Sequence, residues 1–281
     1  MIDQLLSRPE IQSAVMPFSI GILLSLLLRK SSPVAWCWIM LAAFLVSAGL
    51  INGLSFTPLT ATRKIILLII LSFVVHGLFY HLGLDERLRR VLTALFAAAA
   101  FLWIFWAIAQ RMAPLDMSQM VIGGILLLTF LSWAIDRLGP SSERFHAGGF
   151  GLLLGTGLCA AAGASALLGQ LALSLAATSG SLLLAWVLLG DPSGSNSSTR
   201  SRGALPYALA AGLLGLAAVI LAKVPWYALV PLATIPVATR LVPSVSGNRF
   251  LKALTGSLPG IVIALATAAW VWRSTSTASG Y

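Results

Sequence analysis

Polar residues in this chain come in short clusters, separated by apolar runs of roughly twenty residues, the length at which a helix crosses ~30 Å of hydrocarbon. Reading from cluster to cluster gives candidate membrane helices over 11–28, 34–54, 64–83, 91–110, 119–138, 148–168, 171–190, 204–222, 225–243 and 252–272. The expected fold is all-α, a polytopic transmembrane helix bundle of about ten spans. It has nine if 11–28, which contains Pro17 and ends at Arg29-Lys30, is interfacial. The breaks carry charge, Pro, Gly or Ser, as in Gly83-Leu84-Asp85-Glu86-Arg87 and Gly139-Pro140-Ser141-Ser142. The longest, 191–203 (DPSGSNSSTRSRG), reads as a flexible loop. No break could fold as a separate domain, so 1–281 reads as a single integral membrane domain with a polar C-terminal tail at 274–281. The opening MIDQLLSRPE lacks the basic segment and cleavage pattern of a signal peptide.

One stretch organises the rest. From Gly148 to Gly190 there is no charged residue and no His, and Gly, Ala, Ser and Thr are dense. The expectation is two helices folded tightly about Gly169 and Gln170. Gly151, Gly155 and Gly163 would let neighbouring backbones approach closely. Pro225, Pro231 and Pro236 punctuate the ninth run and Pro259-Gly260 the tenth, where kinks are expected. Ten spans divide into five plus five, halves 1–140 and 141–281. An odd number per half would insert the second half upside down, as an inverted repeat. The polar loop at 191–203 points instead to a division of seven plus three.

Composition changes the picture in one respect: the solvent is hydrocarbon. Hydrophobic residues make up 58% of the chain, charged residues 9%, and mean hydropathy is +0.94. A soluble domain carries about 25% charged residues. The formal net charge of +10 would suggest nucleic acid in a soluble protein, but no basic run is long enough, and no nucleic-acid partner is expected. Basic residues flank the spans instead. Alternate loops share the 18 Lys and Arg as 12 against 6, which predicts both termini on the non-cytoplasmic side of a cell membrane, a bacterial inner membrane being the expected one. All nine Trp fall toward span ends, in two head-group belts: Trp36, Trp38, Trp133 and Trp186 on one side, the others opposite. Cys37 and Cys159 lie in apolar runs without metal or redox spacing and read as packing residues.

Candidate chemistry is sparse. All eight carboxylates lie at or beyond span ends, so coupling through a carboxylate at the bilayer midplane is not expected. His76 is the one ionisable residue well inside a run, either a neutral ring bonded to a neighbouring helix or a ligand-contacting group in a polar cavity. Asn52, Thr129, Ser132, Thr178 and Ser179 complete the substrate-path candidates. Their bland role is bonding across helices or back to their own helix. Thr178-Ser179-Gly180-Ser181 could also mark a local break exposing backbone to a cavity. HExxH, GxSxG, CxxCH and paired intramembrane aspartates are missing, so neither an enzyme nor a bound cofactor or metal is expected.

Ten spans in a chain this short resemble the layout of small drug/metabolite-type permeases in size and span count. The expected function is a small permease or facilitator for an apolar, lipid-like or small-metabolite solute. The alternative is a non-catalytic subunit, scaffold or assembly factor of a larger membrane complex. The lipid bilayer is the common partner, and a membrane-protein partner or homo-oligomer would belong to the second reading.

Overall fold

The computed structural model describes residues 8–28, 35–53, 57–138, 142–163, 165–190, 204–243 and 248–278. The loop at 191–203, the Gly139–Ser141 turn and the basic residues Arg29, Lys30, Arg200 and Arg202 lie outside these residues.

Each apolar run becomes a helix, and no strand occurs among the described residues. The ten helices are α1 (Met16–Leu27, entered through a π turn at Ile11–Val15), α2 (Ala35–Asn52), α3 (Ala61–His81), α4 (Glu86–Ala109), α5 (Pro114–Asp136), α6 (Ser142–Ala162), α7 (Ala166–Leu189), α8 (Ala204–Ala222), α9 (Leu229–Leu241) and α10 (Arg249–Ala278). Eight are long and apolar enough to cross a membrane; α1 and α9 are shorter. The ninth run is cut down by its prolines. Pro225 precedes a single 3-10 turn at Trp226–Ala228, and α9 holds only 13 residues with Pro236 inside it.

Hydropathy finds the greasy centre of a helix and misses its charged ends. Asp85 caps α4, its carboxylate accepting from Leu88 N–H at 3.2 Å, so the helix begins five residues before the apolar run. Likewise α6 reaches back through Arg144, Phe145 and His146 to Ser142. The hairpin to α7 therefore comes early. α6 ends at Ala162 and α7 begins at Ala166, so Gly169 and Gln170, expected at the turn, sit inside α7. Much of the expected polar tail is helical too: α10 runs on to Ala278, with Ser274 and Thr275 hydroxyls donating to the Val271 carbonyl.

The middle of the bundle is α6, α7 and α8. The most apolar window of α8 is 83% buried, against 33–44% for α2–α5 and α10. The small residues of α6 explain how so many helices reach it. A Cβ on Gly151 would stand 2.8 Å from the Gly260 Cα of α10, and one on Gly155 would fall against Leu232 and Ala264. One turn's rotation away, a Cβ on Gly157 would lie 3.1 Å from the Leu173 backbone nitrogen of α7. Small-xxx-small faces thus meet on both partners, Gly151/Gly155 against Gly260/Ala264. Gly163 has a different place. It follows the end of α6 beside Val224, in the turn and not at a helix crossing.

On the outside the pattern reverses. Leu23, Leu27, Leu95, Ile122, Leu126 and Val262 are exposed, an apolar exterior that fits hydrocarbon and would not be tolerated in water. Two ends of the bundle are fixed by contacts. Arg144 donates to the Val242 carbonyl at 3.0 Å and the Arg249 guanidinium lies against Gly190, which gathers α6, α7, α9 and α10 at one end with Arg240 and Lys252. We call this the basic end. At the other, Thr275 donates to the Ala162 carbonyl at 3.3 Å. The basic pair Arg63-Lys64 at the start of α3 is spent locally: Lys64 donates to the Trp103 carbonyl at 3.2 Å and sits over its ring, and Arg63 donates to the Pro58 carbonyl at 2.7 Å.

Between α8 and α9 the chain turns through Lys223, at φ +56°. A left-handed conformation costs a residue with a Cβ about 1–2 kcal/mol. Lys223→Gly is therefore expected to raise the melting temperature in detergent, by the equivalent of about 1 kcal/mol.

Candidate functional site

The cavity begins with two helix faces. On α5, Thr129, Ser132 and Asp136 recur at helical spacing and share one face; on α4, Arg89 and Thr93 are one turn apart. Packed together, with α3 and the first turn of α8, these faces enclose a cavity of ≈ 140 Å³ near the basic end. His76, Thr129 and Ser132, three of the six substrate-path candidates, line it together. Its remaining wall is mostly apolar, with Phe79, Ala94, Trp133 and Leu205.

The charges at its mouth form a bracing cluster. Asp136 accepts from one Arg89 nitrogen (Nη2) at 3.3 Å to each carboxylate oxygen. Arg90 Nε stands 3.7 Å from the same carboxylate and Arg90 also pairs with Glu86 one turn earlier on α4. The Arg89 and Asp136 side chains are only 17% and 13% exposed. A pair at that depth has more electrostatic weight than a surface pair, and each partner leaves an uncompensated charge if the other is removed. His76 is 4% exposed and makes no hydrogen bond among the described residues; its ring lies against Trp36, 5.8 Å between centroids.

A second polar cluster lies deeper and is closed. Tyr207 of α8 leans over Gly149 of α6, where any Cβ would enter its ring. Its hydroxyl meets His146 Nδ1 at 3.0 Å and Ser179 Oγ at 2.8 Å, and Ser179 also lies 3.0 Å from the His146 carbonyl. Trp36 of α2 stacks on the other side of Tyr207 at 5.9 Å, and Phe145 meets it edge-on at 5.1 Å. Four helices, α2, α6, α7 and α8, are thereby tied at one point. Tyr207 and Ser179 are fully buried, so this cluster is a structural knot. Trp36, expected in the head-group belt, turns inward to it because Tyr207 offers a ring face there.

The other candidates go elsewhere. Thr178 donates to the Ser174 carbonyl at 2.9 Å and Ser181 to the Thr178 carbonyl at 2.7 Å, and α7 is continuous through them. No break exists at 178–181. Its small side chains instead receive Gly21 of α1, where a Cβ would run into Ser181. Asn52 closes α2 at the end away from Trp36, ~24 Å along the axis from the cavity level. Arg89, Arg90, Thr93 and Asp136 were not singled out from the sequence. The available signal was the spacing 129, 132, 136 on one helix and 89, 93 on the next.

An apolar exterior and, among the described residues, eight helices of spanning length and no strand define a multi-pass membrane protein. The chain matches no family model and no curated sequence among known proteins.

Proposed function

We propose that the protein is a small permease or facilitator that passes an amphipathic small metabolite across the membrane, entering or leaving through the cavity at the basic end. The observation that carries this reading is the cavity itself: polar side chains from α3, α4 and α5 converge in an apolar wall between helices of a membrane bundle. Pockets of a few convergent polar groups in apolar surroundings are the usual form of a small-molecule site. The acidic residue drawn inward, Asp136, is already paired with Arg89, which favours an uncoupled mechanism over one driven through a free carboxylate. On the charge rule the basic end faces the cytoplasm and both termini face away from it, in a bacterial-type inner membrane.

Helix pairing supports a partial inverted repeat of five plus five. The pairs α1–α2 and α4–α5 correspond to α6–α7 and α9–α10, and α2 and α3 pack on their equivalents α7 and α8. The broad α6–α10 contact has no α1–α5 counterpart among the described residues. The α1–α7, α5–α8 and α6–α8 packings likewise have no comparable counterpart among the described residues, so the correspondence is limited to the pairs named. The scaffold alternative is less favoured, because the glycine faces that would have met partner helices are used inside this bundle.

Reconstitution into liposomes tests the reading. Uptake of at least one amphipathic solute above empty vesicles is expected, with Thr129→Trp, which fills the cavity, lowering it about tenfold or more. No uptake of any solute in the panel above empty vesicles would count against it.

A further inference from the structure

The cavity wall carries more information than its size. Arg89, Arg90 and Asp136 line it, and Arg90 is also held by Glu86, which leaves Arg89 as the guanidinium available to a ligand. The pair that spans it is loosely made. Arg89 spends a single nitrogen on both oxygens of Asp136 at 3.3 Å, where a tight charge-assisted bond would be about 2.7–2.9 Å. Most of the Arg89 fork is therefore unspent on this carboxylate. His76, nine-tenths and more buried, lines the same space with no hydrogen-bond partner among the described residues, and the hydroxyls of Thr93 and Thr129 have none there either. Phe79 and Trp133 line the same space. Polar donors and aromatic hydrocarbon around one small cavity describe a small amphiphile with an anionic head.

We infer that the cavity binds the carboxylate of a short-chain organic acid, which takes Arg89 from Asp136 and receives a second hydrogen bond from His76. This names the solute class of the permease reading and rests on it for the step from binding to transport. Asp136 is the internal stand-in for the ligand: it holds a carboxylate against Arg89 while the site is empty. When the acid arrives, Asp136 turns to Arg90, whose Nε already lies 3.7 Å away and which it then shares with Glu86. The acid's alkyl chain lies against Phe79 and Trp133. The small volume of the cavity, ≈ 140 Å³, suits an acid with a short chain.

Calorimetric titration of the purified full chain in detergent tests this, with pentanoate as ligand and pentanamide as its neutral match. Pentanoate should bind about tenfold or more tightly than the amide, and His76→Phe and Arg89→Lys should each weaken it by about tenfold, with circular dichroism unchanged. Asp136→Asn moves the other way, tightening pentanoate several-fold because the competitor is gone, a change that a merely structural Asp136 would not produce. Equal binding of acid and amide, or binding of neither, overturns the inference. So does weaker pentanoate binding in a folded Asp136→Asn variant. Inorganic phosphate, and nanodiscs of phosphatidylglycerol against phosphatidylcholine, test the other oxyanions available at a membrane surface. Saturation by either phosphate source with no response to pentanoate overturns the assignment to carboxylates. Liposome uptake separates the two readings: flux of neutral solutes without acid binding removes only this inference, whereas acid binding without flux removes the permease and leaves the site.

Discussion

Replacing Tyr207 by Ala is expected to destabilise the bundle by about 3–5 kcal/mol, the range for deleting a fully buried aromatic ring. The ring is 0% exposed, stacks on Trp36, meets Phe145 edge-on and fills the space left by Gly149. Its hydroxyl contributes less than its packing. Interhelical hydrogen bonds inside membranes average about 0.6 kcal/mol, because the unfolded chain in lipid also finds partners. Tyr207→Phe should therefore cost only about 1 kcal/mol, although it takes a partner from both His146 and Ser179. Thermal unfolding of the two variants in detergent checks the ratio. Similar losses for Ala and Phe would mean that the polar knot, and not the ring, holds α2, α6, α7 and α8 together.

The other large effect belongs to the α6–α10 seam. Gly151→Leu should lower stability by about 3 kcal/mol or more, the top of the overpacking range, because the atom in the way is backbone. Gly260 Cα lies 2.8 Å from where the first side-chain carbon must go, and a helix backbone cannot rotate aside. Gly155→Leu meets the Leu232 side chain and Ala264 and should cost about 1–3 kcal/mol. α5 offers an internal control. A Cβ on Gly123 meets nothing within 4 Å, whereas its neighbour Gly124 faces the Phe101 ring. Gly123→Leu should be neutral within about 0.5 kcal/mol, and Gly124→Leu strongly destabilising. Equal melting temperatures for Gly151→Leu and Gly123→Leu would remove the seam.

What the sequence made legible follows from what hydrocarbon penalises. His76, Thr129 and Ser132 stand out as polar interruptions of apolar runs, and these three meet in the cavity. Arg89, Arg90 and Asp136 were hidden because charges near span ends usually mark orientation. Whether an end residue faces water or a neighbouring helix depends on tertiary packing, and here α4 and α5 close on one another at that level. Gly151-x-x-x-Gly155 was readable as a close-packing face, but its partner face was read only as a Pro-Gly kink at 259–260. Two-sided crossings cannot be paired from one strand of sequence. The turn expected at 169–170 falls before Ala166 for a simpler reason: hydropathy cannot see that the Glu143–His146 segment is already helical. Tyr207 gave no signal, since one hydroxyl in an apolar run has many innocuous explanations.

Topology underlies both the cavity's place and the route proposed through it. Arg87 lies in the first turn of α4 at the basic end, and Arg111 just beyond that helix's other end. Native Cys37 and Cys159 are buried, so single introduced cysteines can be read against a quiet background. Impermeant thiol labelling of Arg87→Cys and Arg111→Cys in sealed vesicles should mark the two from opposite faces of the membrane. Labelling of both from the same face would contradict a spanning α4 and the bundle built around it.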